Sequence, residues 1–305
     1  MTRRWIVSPG DGDHLGAILA HLGSLDALPE GRVFVGRRRA QRPDEPLAPG
    51  DTVTVFAPRA TLAEPRLLAS HDGVLALFKP APLPTQPDHH GDRCLLSWAE
   101  QHLKTGPLHA TSRLDVGVSG AVLVARTPEA SRRLLEARGR GAYRRTYLAI
   151  ATRPPTPPSG VWNLPIGQGR HARQRAVHGR SPETAESHFA VLALAPGGQA
   201  LLRLHPITGR THQLRVHAAH AGSPLLGDRL YGGPPRLVAA DGSVTPLDRI
   251  ALHAWRIEVP DASGKPWSVT APADELHALW ASVGGDWPDL EATALEPPSP
   301  IAMDD

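Results

Sequence analysis

Residues 111–120, TSRLDVGVSG, contain the acid whose surroundings best suit it to chemistry. Asp115 comes two positions after Arg113 and leads into three small residues, Gly117, Ser119 and Gly120. Small residues let a ligand approach the backbone closely, because no bulky side chain stands in the way. The stretch therefore offers one carboxylate, preceded by a cation, on an open turn.

A second stretch, residues 205–233 (HPITGRTHQLRVHAAHAGSPLLGDRLYGG), holds the densest group of polar side chains in the chain. Its members are Arg210, His212, Gln213, Arg215, His217, His220 and Asp228. The alternation from His212 to His217 fits either a strand or an early helical turn after the Thr-Gly turn. A solvated loop with satisfied histidines is one interpretation. Packing alone does not require so many polar groups, which favours a functional site.

Several common site patterns are absent from the sequence. His217 and His220 are three residues apart, but no HExxH motif accompanies them, so we do not expect a zinc site. No Walker loop occurs, and GQGRHA has too few glycines for a dinucleotide fingerprint. Cys94 is the single cysteine, which excludes a disulfide framework, a cysteine zinc cluster and the zinc deaminase motif. Asp115 and the arginines remain as candidates.

Length and charge set broad limits on the protein. The 305 residues suffice for one large domain or two ordinary ones. We expect a cytoplasmic protein, since there is no long apolar run and the N-terminus lacks a signal-peptide core. The net charge of +3 is too small to argue from, but residues 126–180 are rich in arginine, with only Glu129 and Glu136 as acids. A solvated face and a phosphate-binding surface are both compatible with that segment.

The elements that position these residues fall into two predicted units. Residues 1–58 contain a helix with apolar spacing at Leu15, Ile18, Leu19 and Leu22, a strand in GRVFVGRRRA and a strand at 52–56. Residues 59–68, between prolines, are predicted to be a linker.

The unit from 69 to 283 alternates strands with a few helices. Helices are predicted at 94–104, in PEASRRLLEAR with Pro128 at its start, and in ADELHALWASV. Strands are predicted in LLASHDGVLALFKP, AVLVAR, YRRTYLAIA, AESHFAVLAL, ALLRLHPI and IALHAWRIEV. The excess of strand over helix indicates an α+β domain with an antiparallel sheet. Residues 284–305 are acidic and contain proline, which predicts disorder.

Five of these stretches resemble the motifs of one enzyme family, the RluA-type RNA pseudouridine synthases. RLDVGVSGAVLVAR resembles the family's His-Arg-Leu-Asp-x-x-Thr-Ser-Gly motif, and TGRTHQLRVHAAHAGSPLLGDRLYG is similar to its Gly-Arg-Thr-His-Gln-Ile-Arg-Val-His segment with the downstream Gly-Asp and Tyr-Gly. HDGVLALFKPAPLPTQP, RRTYLAIA and RIALHAWRIEV resemble its Lys-Pro, Lys-x-Tyr and Leu-His-Ala strands. The order and spacing agree over about residues 69–260.

The resemblance implies an isomerisation of uridine in RNA, in which a C–N bond breaks, the base rotates and a C–C bond forms. It needs no redox step or external energy, so neither cofactor nor metal is expected. Asp115 matches the family's carboxylate, which either attacks the anomeric carbon or removes the neighbouring ribose proton; both routes stay open. Arg215 matches the arginine that keeps this acid ionised in a closed site. Tyr147 matches the tyrosine that stacks on the base and helps remove its proton.

The resemblance also implies RNA contacts. A uridine in folded RNA must leave its stack first, and the family's arginine at the position of Arg113 enters the vacated space. A structural ion pair is the alternative for Arg113. We expect further RNA contacts at Lys79, Arg210, His212 and Gln213, and expect the small residues after Asp115 to let RNA approach. The implied fold is a pseudouridine synthase fold, a mixed and mainly antiparallel sheet with flanking helices, split by a basic catalytic cleft.

This sequence departs from the family pattern at three positions. Ser112 replaces the histidine before Arg-Leu-Asp, Val118 replaces the threonine before Ser-Gly, and Arg145 replaces the lysine of Lys-x-Tyr. None of them replaces a catalytic group, but the first two bear on RNA choice and activity.

The N-terminal unit has a partial resemblance of its own. GRVFVGRRRAQRPDEPLAPGDTVTV resembles the second half of the small α-L RNA-binding domain named for a ribosomal protein, whereas DGDHLGAILAHLG matches its helical start poorly. Arg37 and Arg38 are the predicted phosphate contacts. A purely structural unit is the alternative.

The sequence thus predicts a monomeric RNA pseudouridine synthase acting on uridine in structured rRNA or tRNA, with RNA as its partner and no membrane association. The rival hypothesis is an RNA-binding or RNA-chaperone protein that keeps the fold but not the turnover. Binding alone needs no carboxylate facing a phosphate-rich ligand, which disfavours the rival. A carboxylate glycosidase would use two acids, and we expect no second acid in these motifs.

Overall fold

The protein folds as two compact units, residues 1–62 and 63–305. A computed structural model describes residues 3–29, 32–56, 63–87, 94–171, 174–238 and 244–291. Within these ranges, none of the helices combines the length and the apolar character needed to cross a bilayer.

The N-terminal unit packs one helix against an antiparallel sheet. Its strands β1 (Arg3–Ile6), β2 (Val33–Val35), β3 (Arg38–Arg39) and β4 (Thr52–Val55) lie in the order β1-β4-β2-β3. Helix α1 (Leu15–His21) begins where the His14 side chain accepts a hydrogen bond from the amide of Ala17. Three of the four leucine and isoleucine positions predicted to face the core are buried, which confirms the helix prediction.

The second unit is built on a ten-stranded sheet with mostly antiparallel pairing. Eight strands form the path β10-β14-β15-β9-β18-β8-β6-β5, while β19 pairs with β18 and β7 with β8. Strand β18 runs parallel to β8, and this is the one parallel pair described in the sheet. The bounds are β5 (Arg66–His71), β6 (Val74–Lys79), β7 (His109–Ala110), β8 (Ser119–Ala125), β9 (Arg144–Ala151), β10 (Ser159–Trp162), β14 (Ser187–Leu194), β15 (Ala200–Pro206), β18 (Leu252–Pro260) and β19 (Pro266–Thr270).

Two small sheets lie outside this path. Strands β11 (Ile166–Gln168), β12 (Arg175–Val177) and β13 (Arg180–Glu183) form a three-stranded sheet in the order β12-β11-β13, and β16 (Arg236–Val238) pairs with β17 (Val244–Pro246). The mixed, mainly antiparallel architecture confirms the predicted α+β fold class.

Four helices cover the two faces of the main sheet, α2 (Leu95–His102), α3 (Pro128–Gly139), α4 (Gln213–His220) and α5 (Asp274–Ser282). Alternate residues of β6 separate two cores: Val74, Ala76 and Phe78 pack with α3, and Leu75 and Leu77 pack with α2. Because successive side chains of a strand point to opposite faces, these two helices lie on opposite sides of the sheet.

Alternate residues of strand β9 also face two different cores on opposite sides of the sheet. Leu148 and Ile150 pack with α5, whereas Tyr147, Ala149 and Ala151 pack with α4. Tyr147 is therefore on the face of the sheet where α4 lies. The stretch after the Thr-Gly turn is helical, which decides between the two interpretations left open by its alternation.

Three predictions at the level of elements need correction. LLASHDGVLALFKP is a hairpin, β5 and β6, turning at Asp72 and Gly73 rather than one strand, and β5 starts inside the predicted linker 59–68. Disorder from residue 284 is wrong for 284–291: Trp287 and Leu290 pack against the α5 core, and the carbonyl of Asp286 accepts a 2.9 Å hydrogen bond from Trp280 Nε1. Residues 292–305 lie outside the described part.

Candidate active site

A polar cleft of about 340 Å³ lies in the second unit, beside the face of the sheet that carries α4. Its walls come from the loop between β7 and β8, from α3 and β9, and from the loop between β15 and α4. The lining includes Ser112, Arg113, Asp115, Arg138, Arg145, Tyr147, Arg210, His212, Gln213 and Arg215. Residues more than 100 positions apart in the chain thus face one another across a single space.

The backbone around Asp115 is fixed by hydrogen bonds on both sides. The amide of Leu114 donates to Thr85 Oγ1 (3.1 Å), and the carbonyl of Val116 accepts from the amide of Leu83 (3.1 Å). The amide of Ile250 donates to the carbonyl of Gly117 (3.0 Å). These bonds position the carboxylate, whose side chain is 28% exposed at the cleft.

Arg215 joins Asp115 to a second, deeper carboxylate. Its Nη1 donates to Asp115 Oδ2 at 2.7 Å, while Nε and Nη2 donate to the two oxygens of Asp228 at 2.7 and 2.8 Å. Burial alone would lower the pKa of Arg215, but its hydrogen bonds and charge attraction to Asp228 and Asp115 raise it above its ordinary value. The guanidinium is therefore a permanent, two-sided cation at the base of the site.

His212 and Tyr231 flank this ion pair. His212 adopts a left-handed conformation (φ 60°) just before α4, and its Nε2 lies 3.8 Å from Asp115 Oδ2. Its Nδ1 is 2.7 Å from the hydroxyl of Tyr231. Burial lowers the pKa of His212; the charge of Asp115 opposes this shift and that of Arg215 adds to it.

Tyr147 lines the cleft from β9 with little exposure. The side chain is packed between the sheet and α4, and burial raises the pKa of its phenol, although Arg145 acts in the opposite direction. Tyr147 is therefore a neutral phenol near pH 7. Arg145 itself donates to the carbonyls of Pro206 and Thr208, so it braces the opposite wall of the cleft.

Comparisons with known proteins identify the family to which this chain belongs. A family model described as RNA pseudouridylate synthase matches residues 73–220. The chain is 30% identical over 214 residues to the dual-specificity RNA pseudouridine synthase RluA of Escherichia coli K12, a match covering 68% of this chain and 93% of that protein. The chain belongs to the RluA-type RNA pseudouridine synthase family. The predicted enzyme class, an isomerase, is thereby confirmed.

Further relatives fit the same family. An uncharacterized RNA pseudouridine synthase of Bacillus subtilis, YhcT, is 36% identical over 201 residues, a match that spans 63% of each chain. The solved structure of human RNA pseudouridylate synthase domain containing 4 shares the fold, with a TM-score of 0.59 and 24% identity over 73% of this chain and 94% of that one.

Two residues of this pseudouridine synthase that were predicted to contact RNA, Lys79 and Gln213, are instead bonded inside the protein. Lys79 is fully buried, and its ammonium donates to the carbonyls of Leu83 (2.6 Å), Pro80 (3.1 Å) and Val116 (3.4 Å). Burial and the charge of Arg249 lower its pKa to about 7, although Asp115 acts against this. The prediction that Lys79 contacts RNA is wrong, because its ammonium is committed to the loop that carries Asp115.

Gln213 is also committed to the protein. Its amide oxygen accepts from Thr208 Oγ1 (2.7 Å) and from the amide of Arg210 (2.9 Å), and its amide nitrogen donates to the carbonyl of Glu186 (2.8 Å) and to Ser187 Oγ (2.9 Å). With all these bonds made inside the protein, Gln213 holds the loop before α4 rather than binding RNA.

The predicted arginines differ in how freely they can meet a ligand. Arg113 is exposed at the cleft, and among the described residues it has no hydrogen bond or ion pair. Arg210 pairs with Glu183 and donates to the carbonyl of Thr184. In the N-terminal unit Arg37 is exposed, whereas Arg38 Nη1 lies 2.7 Å from Glu45 Oε2.

The small residues after Asp115 serve packing, not access. Gly120 has φ +123°, and a Cβ there would overlap the backbone of Ala254 on the parallel strand β18. Ser119 is buried, and its hydroxyl binds His253 Nδ1 (2.7 Å) and Arg249. The expectation that the small residues let RNA approach is therefore wrong for Ser119 and Gly120.

Two features were not predicted from the sequence: an acid beneath the cleft, and a buried cluster on the strands that follow the Asp115 loop. Asp228 is a second acid in the motifs, but it lies beneath Arg215 and is 1% exposed, so it cannot form the carboxylate pair of a glycosidase. The Gly-Asp motif contains Asp228 and could have indicated that this acid has a role. For the Ser119–His253–Arg249 cluster, the sequence offered only the histidine of the Leu-His-Ala strand as a weaker indication.

The structure offers few groups suited to a metal. His217 binds Ser187 Oγ and the carbonyl of Leu164 with its two ring nitrogens. In the described ranges one group has ligand atoms within 4.8 Å of one another, His71, Asp72 and Asp261, and none of these residues lines the cleft.

Proposed function

We propose that this enzyme converts uridine to pseudouridine at a specific position in structured rRNA or tRNA, with Asp115 acting on the sugar of the target nucleoside. The observation that carries the proposal is the pairing of Asp115, at 28% exposure, with the buried Arg215 over a distance of 2.7 Å. A carboxylate held this way is open to a nucleoside on one side, and on the other side the Arg215 guanidinium balances its charge.

The groups around Asp115 suit the two halves of the reaction. Cleavage of the C–N bond needs the carboxylate at the anomeric carbon or at the neighbouring ribose proton, and a positioned acid supplies either. Once detached, the uracil must rotate while it remains bound. Tyr147 supplies an aromatic surface for it and enters the reaction as a neutral phenol, because burial raises its pKa.

Arg113 is the group best suited to fill the gap left by an everted base. It is exposed, lines the cleft and precedes Asp115 by two residues. A planar guanidinium can stack on the neighbouring bases and so offset the cost of unstacking, a few kcal/mol. Its freedom from ion pairs in the described residues favours this role over the structural alternative.

The N-terminal unit is proposed as an auxiliary RNA contact through Arg37 and Arg38. Arg37 has the stronger case, since Arg38 is already paired with Glu45. Asp115, Tyr147 and Arg215 face one cleft within a single chain, so the proposed reaction needs no group from a second copy, and we propose that the enzyme acts as a monomer. An enzyme that modifies rRNA or tRNA meets those RNAs in the cytoplasm, where we expect it to act.

The rival hypothesis, an RNA-binding protein without turnover, explains the basic cleft but not its acid. Placing Asp115 against a polyanion would weaken binding, and the buried Arg215–Asp228 pair beneath it would have no purpose.

Pseudouridine mapping of total RNA from a strain lacking the gene, compared with its parent, identifies the target as a lost modification. An RNA fragment carrying that uridine is then treated with wild-type enzyme or Asp115→Asn. We expect no pseudouridine from the variant and an RNA affinity within a few-fold of wild type. Product formation by Asp115→Asn at the wild-type rate would reject the assigned role, and unchanged modification in the deletion strain would favour the rival.

A further inference from the structure

The hydroxyl of Tyr231 lies between one donor and one ring nitrogen. The backbone amide of Arg175 on β12 donates to it at 2.9 Å, and His212 Nδ1 lies 2.7 Å from it. The hydroxyl oxygen accepts the amide hydrogen, so its own hydrogen is left to donate to Nδ1. A phenol has one hydrogen to give and a neutral imidazole has one nitrogen that accepts, so this arrangement satisfies both groups.

That hydrogen-bond pattern favours one tautomer of His212. With Nδ1 accepting, the ring hydrogen is on Nε2, which lies 3.8 Å from Asp115 Oδ2. The opposite tautomer would turn a nitrogen lone pair toward a carboxylate and leave the Tyr231 hydrogen without its partner. Electrostatics at Nε2 and hydrogen bonding at Nδ1 therefore select the same form.

Tyr231 is itself held by the groups that hold Asp115. The guanidinium carbon of Arg215 lies 5.0 Å from the centre of its ring, and the His212 ring meets it edge-on at 5.6 Å and 77°. The short helical turn Arg229–Tyr231 directly follows Asp228, the buried partner of Arg215. The two sides of the site, His212 and Arg215, are thus aligned by one aromatic ring.

The space between His212 Nε2 and Asp115 Oδ2 fits one hydroxyl oxygen. An oxygen at about 2.8 Å from each atom would see them at an angle of about 85°, which a hydroxyl group tolerates. It would accept from Nε2–H and donate to the carboxylate. Both routes proposed for Asp115 place it at C1′ or C2′ of the ribose, so the hydroxyl within reach is the one on C2′.

We propose that His212 and Asp115 form a donor–acceptor pair for the ribose 2′-hydroxyl of the target uridine, and that Tyr231 is a positioning residue that keeps His212 as the Nε2–H tautomer. The inference rests on the proposed role of Asp115 and adds to it a means of selecting RNA over DNA, since the 2′-hydroxyl is what distinguishes them at one nucleotide. The charged groups around His212 are Asp115, Arg215, Asp228 and Arg175, and burial lowers its pKa, which keeps the ring neutral.

The tautomer is tested without any turnover. Two-bond ¹H–¹⁵N correlation spectra of the full-length protein with labelled histidine, assigned through His212→Gln, should show His212 with hydrogen on Nε2. In Tyr231→Phe, the imidazole of His212 should become a mixture of tautomers or flip by 180° about its Cβ–Cγ bond. A wild-type spectrum with hydrogen on Nδ1, or an unchanged spectrum in Tyr231→Phe, would overturn the positioning role.

The ligand is tested with paired RNA fragments that carry uridine or 2′-deoxyuridine at the mapped position. Wild type should bind the deoxy fragment about tenfold more weakly, as expected for one lost hydrogen-bonded hydroxyl, and His212→Ala should reduce that ratio to about threefold or less. Equal discrimination by wild type and His212→Ala would reject the donor–acceptor pair.

A conservative pair of variants separates the hydrogen bond from backbone effects. Glutamine at 212 can place an N–H near the position of Nε2, whereas asparagine reaches only the position of Nδ1. Asparagine tolerates the left-handed backbone better, so higher kcat for His212→Gln than for His212→Asn would point to the donor and not to strain; the reverse order would count against it. If wild type forms no pseudouridine at all, the proposed function fails and no position is mapped, while the spectra still judge the tautomer of His212 and the positioning role of Tyr231.

Discussion

Arg215 and Asp228 form a buried two-point ion pair, with Nε–Oδ2 and Nη2–Oδ1 distances of 2.7 and 2.8 Å and side chains 7% and 2% exposed. The pair orients the remaining nitrogen, Nη1, toward Asp115. Asp115, the carboxylate proposed to act on the sugar, therefore takes its position from an acid that is buried beneath the cleft.

Asp228→Asn should impair both folding stability and turnover. The change leaves Arg215 facing an amide in a buried site, and removing one partner of a buried pair costs about 3 kcal/mol. Loosening of Nη1 should lower kcat by about tenfold or more, with RNA affinity within a few-fold. Urea unfolding and single-turnover kinetics measure the two effects.

Asp115→Asn is the matched control for that variant. Asp115 is partly exposed, so its change should cost much less stability than Asp228→Asn while removing more activity. If Asp228→Asn unfolds like wild type and keeps its kcat, Arg215 does not depend on the buried acid.

Arg113→Ala should act on folded RNA more than on unfolded RNA. Arg113 is exposed and unpaired within the described ranges, so the unfolding free energy should stay within about 0.5 kcal/mol of wild type. Loss of a stacking replacement for the everted base should lower kcat/KM by about tenfold or more on a structured fragment. A short fragment in which the same uridine is already unstacked should be less affected.

Arg126→Ala serves as the comparison for charge alone, since Arg126 is exposed and does not line the cleft. If Arg113→Ala reduces kcat/KM equally on folded and unfolded fragments, Arg113 contributes charge and does not assist base eversion.

The local elements of this protein were largely predictable from its sequence, because their signals are local. The helix at Pro128 has a Thr127 cap that accepts from the amide of Ala130, and the apolar runs of β6 and β8 are buried on both faces. The family motifs also assigned Asp115, Tyr147 and Arg215 to one site, and all three line the cleft.

The side-chain contacts that could not be predicted from the sequence are those with partners far along the chain. Lys79 is buried by carbonyls that include Val116, 37 residues away, and Ser119 meets His253 across 134 residues. Nothing beside Lys79 in the sequence distinguishes an ammonium that caps a loop from one that meets phosphate. Gln213 was misassigned for a similar reason, because two of its hydrogen-bond partners, Glu186 and Ser187, lie 27 and 26 residues earlier in the chain.

The N-terminal unit should contribute to RNA affinity through charge. Arg37→Ala should weaken binding and reduce the slope of log K against log salt by about one unit, as expected for one lost phosphate contact. Arg38→Ala should reduce it less, because Glu45 already pairs with that side chain. Binding isotherms from 50 to 300 mM salt give the slopes. If a variant that combines Arg37→Ala and Arg38→Ala has the same slope as wild type, this unit does not contact RNA through these arginines.

Stability should fall as the pH is lowered, and His253 should account for a defined share of that fall. His253 is 2% exposed, and burial together with the charge of Arg249 lowers its pKa to about 3. The unfolded chain takes up this proton near pH 6.5, so between pH 6.5 and 3 the unfolded state binds more protons than the folded one. The free energy of unfolding should then drop by about 1.4 kcal/mol per pH unit from this group alone.

His253→Asn should remove that contribution while an amide oxygen near the position of Nδ1 can still accept from Ser119. Urea unfolding at pH 7, 6 and 5 should show the variant losing less stability than wild type, the difference approaching about 1.4 kcal/mol per pH unit below pH 6. Ser119→Ala removes the same 2.7 Å hydrogen bond but keeps the imidazole, so its pH slope should match wild type. A His253→Asn slope equal to that of wild type would mean that His253 takes up its proton in the folded protein as readily as in the unfolded chain.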